Sequence, residues 1–197
     1  MKSYEVALAL VVVAIVASTC TGRDAKSSTP IASAAAVAAV PTIAGELATF
    51  RSGMRAPRSL AGPPSRDSLV QLFERALAKR DTAGLGELQI TREEFAYLYY
   101  PDSKMARPPY ELGPDMTWMQ IQSQSDRGLR RLVAKYGGRK IRIRGLECLA
   151  PERQSAVVIH QCAVRTSEGV DSAPKQLFGS IIEREGRFKL VGYANRL

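Results

Sequence analysis

The chain has 197 residues, of which 45% are hydrophobic, 7% aromatic and 24% charged. These values are typical of a globular domain and exclude a collagenous, wholly disordered or polytopic membrane protein. Lysine and arginine number 28 against 19 acidic residues, which gives a net charge of +9 and raises the question of an anionic partner. The single histidine, His160, excludes every site that needs two histidines.

The first residues are predicted to be an export signal. Lys2 precedes an uninterrupted apolar run, 6–17, which is shorter than the roughly 20 residues of a bilayer span and fits a signal peptide. Residues 17–20 read Ala-Ser-Thr-Cys and resemble the lipobox of bacterial lipoproteins, in which the cysteine carries the lipid. The resemblance implies a signal peptide over 1–19, lipid attachment at Cys20, and a site on the periplasmic face of the outer membrane or on the cell surface. Simple secretion and a retained anchor are the alternatives.

Residues 20–64 are predicted to form a flexible tether. Alanine, serine, threonine, glycine and proline dominate this stretch, and large apolar residues are few. Such a composition buries too little apolar surface to offset the entropy lost on folding. The folded domain is therefore expected over 65–197.

Three helices are predicted at the start of that domain. Ser65 or Asp67 caps the first helix, whose apolar residues recur at helical spacing up to Asp81. Thr91 and Glu94 form a capping box for the second helix, which ends at Pro101. The third helix is expected from Asp115 to the glycine pair 137–138.

Four antiparallel strands are predicted after the helices. Residues 140–150 and 156–166 form a hairpin around a turn at 151–154, and 176–184 and 187–194 form a second hairpin around Glu185-Gly186. Helices followed by an antiparallel meander predict an α+β domain, with the helices packed on one face of a curved sheet.

This order of elements resembles the NTF2-like (SnoaL-like) superfamily over residues 65–197. The resemblance is carried by the first helix, 69–77 with Arg80-Asp81 after it, and by the final hairpin, 178–183 and 188–193. It implies a cystatin-like cone in which a curved sheet wraps around the helices and encloses a pocket. Some members use that pocket as an isomerase or dehydratase site, and others use the fold only for binding or assembly. No residue here matches the catalytic acids and bases of the enzymes.

Cys148 and Cys162 lie on adjacent predicted strands of a protein expected in an oxidising compartment, which favours a disulfide over two buried thiols. A turn at 151–154 places Cys162 opposite Ile143, so the pairing needs a bulge at Gly145 or a longer loop.

His160, in the same strand as Cys162, is the candidate catalytic acid or base, with a structural hydrogen bonder as the alternative. A zinc site from His160 and the two cysteines lacks a fourth ligand, and no carboxylate cluster of metal-binding spacing is present, so no metal or cofactor is expected. Four aromatic residues around a proline-rich loop are candidates for a ligand pocket, with core packing as the alternative: Tyr97, Tyr99, Tyr110 and Trp118.

Eight cations fall within residues 127–144, which contain no acid. Arg127, Arg131 and Lys135 recur every four residues on a helix, and Arg142 and Arg144 share one face of the first strand. They are candidates for contact with an anionic surface, with a solvated charged face as the alternative. Export makes nucleic acid a poor partner. The partners expected are the membrane, through the lipid on Cys20, and an anionic envelope polymer or a protein.

These observations predict an exported, lipid-anchored envelope protein that acts as a non-catalytic ligand-binding or interaction module. The alternatives are a small isomerase or dehydratase that uses His160 with a tyrosine, and a structural accessory of an envelope complex.

Overall fold

The computed structural model describes residues 41–167 and 173–195. The predicted signal peptide, Cys20 and the first half of the predicted tether lie outside these residues. Helices come first and antiparallel strands follow, so the α+β class is confirmed. The helices are α1 (Ile43–Phe50), α2 (Arg66–Lys79), α3 (Thr82–Glu87), α4 (Arg92–Glu94) and α5 (Pro114–Tyr136). The strands are β1 (Ile143–Cys148), β2 (Glu152–Arg153), β3 (Val158–His160), β4 (Cys162–Thr166), β5 (Ile181–Arg184) and β6 (Arg187–Leu190).

The described part of the predicted tether is packed against the domain. Thr42 caps α1 by accepting a hydrogen bond from the Gly45 amide at 3.1 Å, and Phe50 and Leu60 are buried. Arg51 donates to the Ala96 carbonyl at 2.7 Å. The tether therefore does not reach residue 64, because 43–64 belongs to the folded unit. The expected number of three helices is likewise not confirmed, since α1 and α3 also form.

The predicted helix caps are largely present. Ser65 accepts a hydrogen bond from the Ser68 amide at 3.0 Å and starts α2, whose apolar face is buried. Thr91 and Glu94 make the capping box that starts α4. A π-helical turn, Phe95–Tyr99, continues α4 before two short 3-10 turns. The start of α5 differs from the prediction: Gly113 is its N-cap and Pro114 its first residue, instead of a cap by Asp115.

The strands form a two-stranded sheet, β1-β4, and a four-stranded sheet in the order β2-β3-β5-β6. The second predicted strand, 156–166, is thus divided between the two sheets as β3 and β4, while the first, 140–150, contains β1 only. The turn lies at 154–157, where the Gln154 amide donates to the Val157 carbonyl at 2.9 Å, and not at 151–154. This shift of the turn, with an irregularity between Ile143 and Gly145, changes which residues face each other across the hairpin.

Both faces of the four-stranded sheet are covered. Directly paired residues share a face, so Ile181 and Leu190 lie on one side and Ile159 and Ile182 on the other. The first side packs in a cluster with buried residues of α2 and α5. The second side packs in another cluster with α1 and the π-helical turn. The expectation that helices cover one face only is therefore wrong, because the aromatic segment after α4 folds over the other face.

Within the described residues, no helix combines the length and the apolar character that crossing a membrane requires.

Gly128 lets the C-terminal segment lie directly against α5. A Cβ atom at this position would be 2.5 Å from the Ala194 carbonyl oxygen and 2.7 Å from that of Tyr193. We expect Gly128→Ala to lower the free energy of unfolding by about 1–3 kcal/mol, measured by urea denaturation, since backbone must move. Gly86 in α3 is the matched control: a Cβ there meets no atom within 4 Å, and Gly86→Ala should stabilise by about 0.5–1 kcal/mol. If Gly128→Ala raised the free energy of unfolding as Gly86→Ala does, the close approach at Gly128 would be contradicted.

Candidate functional site

Cys148 and Cys162 form the predicted disulfide, with their Sγ atoms 2.08 Å apart. The two residues face each other directly in the β1·β4 ladder. The predicted obstacle, Cys162 opposite Ile143, is absent because the turn lies later in the chain than expected. Arg66 of α2 reaches this pair, with its Nη1 atom 3.8 Å from Cys148 Sγ.

His160 is buried in β3 and bonded to a carboxylate. Its Nε2 atom lies 2.8 Å from Glu183 Oε2 on β5, and its ring lies 6.5 Å from that of Phe188. By the alternation of side chains, His160 is on the face of the first cluster, whereas Tyr97 and Tyr99 pack in the second cluster across the sheet. The structure therefore separates His160 from the tyrosines predicted to line the pocket. In 41–167 and 173–195, no group of three or more His, Cys, Asp or Glu side chains is arranged to hold a metal ion.

The four candidate pocket aromatics occupy different surroundings. Trp118 packs on Phe95 with ring centroids 5.0 Å apart, and Tyr99 packs on the same ring at 6.1 Å. Burial, with a smaller contribution from the Glu152 charge, raises the pKa of the Tyr99 hydroxyl. The guanidinium of Arg51 covers Tyr97 at 4.4 Å, and Tyr110 is 61% exposed. Trp118 and Tyr99 are thus part of the packing over the sheet.

Surface clefts between the described residues include three that are lined neither by His160 nor by these aromatics. The first, about 400 Å³, lies between α2, α3 and residues 61–63. The second, about 490 Å³, lies beside α5 and is lined by Arg80 and Arg130 among others. The third, about 250 Å³, lies between the N-terminal part of α2 and β1. The space between α2, α5 and the sheet is filled by fully buried side chains that include Phe73, Leu132 and Phe178.

Arg127, Arg131 and Lys135 are exposed along α5, and we call these three residues the α5 stripe. Arg127 donates to the Ser123 hydroxyl at 3.0 Å, and Arg131 donates to the Asn195 side-chain oxygen at 3.0 Å. Within the part of the chain that the structure describes, none of the three makes a salt bridge. Neutral groups therefore hold Arg127 and Arg131, and no carboxylate of the described residues lies within salt-bridge distance of any of the three.

Two further observations extend the basic region. The ammonium of Lys175 lies 5.9 Å from the ring of Tyr136, and that of Lys135 lies 5.4 Å from the same ring. Sequence analysis missed Lys175, because it is forty residues from the stripe. Arg142 and Arg144 are exposed as predicted, but Arg144 lines the third cleft together with Arg66. Arg144 thus belongs to the β1 edge, whereas Arg142 precedes β1 and does not line this cleft.

Sequence analysis also missed a buried ion pair. Lys189 of β6 and Glu94 of α4 are 3.2 Å apart, and their side chains are only 4% and 2% exposed. Glu94 also accepts hydrogen bonds from the amides of Ala61 at 2.7 Å and Thr91 at 2.8 Å. Lys189 donates to the Gln89 carbonyl at 2.9 Å. Both carboxylate oxygens of Glu94 and the ammonium of Lys189 thus have hydrogen-bond partners within the domain. This pattern is typical of a structural ion pair.

No family model, curated protein or solved structure matches this chain. The function therefore has to be inferred from the residues and their arrangement.

Proposed function

We propose that this protein is an exported, lipid-anchored module of the bacterial envelope that binds anionic lipid headgroups through the α5 stripe and has no catalytic role. The observation that carries the proposal is that Arg127, Arg131 and Lys135 lie on one exposed helix face and make no salt bridge with any residue that the structure describes. Phosphate groups of lipids attract such cations with about 1 kcal/mol for each lysine or arginine near the surface. The proposed domain is NTF2-like, and its resemblance rests on α2 and on the β5–β6 hairpin.

The packing of the domain supports an interaction role over a small-ligand role. An NTF2-like cone would hold its ligand between the helices and the sheet. That space contains Phe73, Leu132 and Phe178, each fully buried. Binding is therefore expected on the surface of the domain and not inside it.

Lipid attachment at Cys20 is the second part of the proposal. We expect Cys20→Ser to abolish acyl labelling and to move the protein out of the membrane fraction, because no other residue carries the lipobox pattern. Thr21→Ser is the matched control and should leave both unchanged. Unchanged labelling and fractionation of the Cys20→Ser variant would contradict the anchor.

The α5 stripe is tested by reversing its charge. We expect Arg127→Glu, Arg131→Glu and Lys135→Glu together to weaken binding to phosphatidylglycerol vesicles by roughly 100-fold, from three lost attractions of about 1 kcal/mol each. All variants carry Cys20→Ser, so that an acyl chain does not dominate the partition.

The control reverses three exposed cations elsewhere, Arg75, Lys79 and Arg153, and thus changes the net charge equally. Equal losses in the two triple variants would show that net charge alone drives binding and would contradict the stripe. If the Cys20→Ser protein bound soluble polyphosphate with the same affinity as vesicles, the partner would be a polymer in place of lipid.

A further inference from the structure

The free edge of β1 has the features of a site for an added peptide strand. In the described residues, β4 is the only strand that pairs with β1. The Leu149 amide donates to the Gln161 carbonyl at 3.0 Å, so the backbone at this position faces β4. Val164 exchanges hydrogen bonds of 2.8 and 2.9 Å with Lys175, so its backbone faces away from β1. Leu146, which is paired with Val164, consequently points its own amide and carbonyl outward.

Alternation along the strand gives Cys148 the same orientation as Leu146. No described residue therefore pairs with this edge from Gly145 to Cys148. At its start it is closed, since the Ile143 amide donates to the Glu74 carboxylate of α2. Unpaired amides and carbonyls at a strand edge are the template for pairing with another chain.

The third cleft lies along this open edge. Its walls are the N-terminal residues of α2 on one side and residues 143–146 on the other. A Cβ atom at Gly145 would meet nothing within 4 Å apart from its chain neighbours, so no other described residue crowds this face of the strand. A groove between a strand edge and a helix holds an extended peptide by main-chain hydrogen bonds, while side-chain pockets select its sequence.

The cleft also indicates the chemistry of the peptide. Val70 and Leu146 supply an apolar lining, while Arg66 and Arg144 supply two cations against the one acid, Asp67. The two other nearby carboxylates are already bonded, Glu147 to Arg165 and Glu74 to the Ile143 amide. An extended segment whose side chains alternate between apolar and acidic would meet both the lining and the cations. A second copy of the chain fits less well, because each copy carries a net charge of +9.

From these observations we infer that an acidic, extended peptide segment of a partner protein binds by adding a strand to the β1 edge between α2 and Cys148. The inference uses a surface other than the α5 stripe and stands whether or not the stripe binds lipid.

The test uses the full chain with Cys20→Ser and a peptide of about eight residues that alternates glutamate and valine. We expect saturable binding in nuclear magnetic resonance titrations, and hydrogen exchange of the Leu146 and Cys148 amides slowed by about tenfold. N-methylation of the peptide amides on one edge should weaken binding by roughly tenfold or more, because the added ladder cannot form. This control leaves the protein unchanged.

Protein variants provide the second readout. Arg66→Glu with Arg144→Glu should weaken peptide binding by about tenfold. The triple variant of the α5 stripe should retain it, which separates this site from lipid binding.

Binding that is insensitive to N-methylation, or no binding, would overturn the inference. Protection of the two amides without any peptide would also overturn it. If that protection rises with protein concentration, it assigns the edge to a second copy, and if it does not, to a segment of the same chain.

Discussion

Replacing Glu94 with alanine is expected to lower the free energy of unfolding by roughly 3–5 kcal/mol. The reason is that Lys189 would remain buried without its counter-charge, 3.2 Å from where the carboxylate was. The amides of Ala61 and Thr91 would also lose their acceptor. Removing one member of a buried pair costs far more than the pair contributes, because an unpaired charge stays out of water. Urea denaturation followed by circular dichroism measures the change.

Glu93 is the matched control, since it is the neighbouring acid on α4 and makes no salt bridge within the described residues. Glu93→Ala should change stability by less than about 0.5 kcal/mol. In the double variant Glu94→Leu with Lys189→Met, the loss should be well below the sum of the two single losses, because neither charge is left alone. A loss under about 1 kcal/mol for Glu94→Ala would show that the pair is not buried as described.

Removing the Cys148–Cys162 disulfide is expected to destabilise the domain by about 3 kcal/mol. The two cysteines are 14 positions apart, and opening this loop restores conformational freedom to the unfolded chain. Cys148→Ala with Cys162→Ala and reduction of the wild-type protein should give similar losses in denaturant titrations.

The double alanine variant provides its own control, because a reductant should leave its midpoint unchanged. The one other cysteine of the sequence, Cys20, lies outside the loop that the disulfide closes. If reductant also leaves the midpoint of the wild-type protein unchanged, the bond does not stabilise the folded state.

Local signals in the sequence were sufficient for several elements. Ser65 and the capping box of Thr91 and Glu94 mark helix starts through contacts three residues away, which any sequence of that pattern can make. The sequence also contains a signal for helix α1, since Thr42 caps it and Ile43, Leu47 and Phe50 recur at helical spacing. The helix was not predicted because the composition of 20–64 favoured a flexible tether. The disulfide followed from the expected compartment, although its register did not.

Other features depend on contacts between distant parts of the chain. Lys189 alternates with Phe188 and Leu190, a pattern typical of a strand with one face in solvent. It is buried because Glu94, Gln89 and Gly62 pack around its side chain, and these residues are about 95 to 127 positions away in sequence, so no local pattern predicts the burial. The aromatic segment after α4 packs on the same face of the sheet. The same cover places Tyr99 and Trp118 in the packing against the sheet, where pocket residues were predicted. The open edge of β1 and the third cleft could not be predicted for the same reason, since Arg66 and Arg144 are far apart in sequence.

The central claim, an envelope module that binds anionic lipid headgroups, is tested most directly by the partition of the Cys20→Ser protein onto vesicles of increasing phosphatidylglycerol content at physiological salt. Binding should be negligible on zwitterionic vesicles, should rise steeply with the anionic fraction, and should weaken as salt is added, since exposed charges are screened within about 10 Å. Binding that does not depend on the anionic fraction, or no binding on fully anionic vesicles, would contradict the claim.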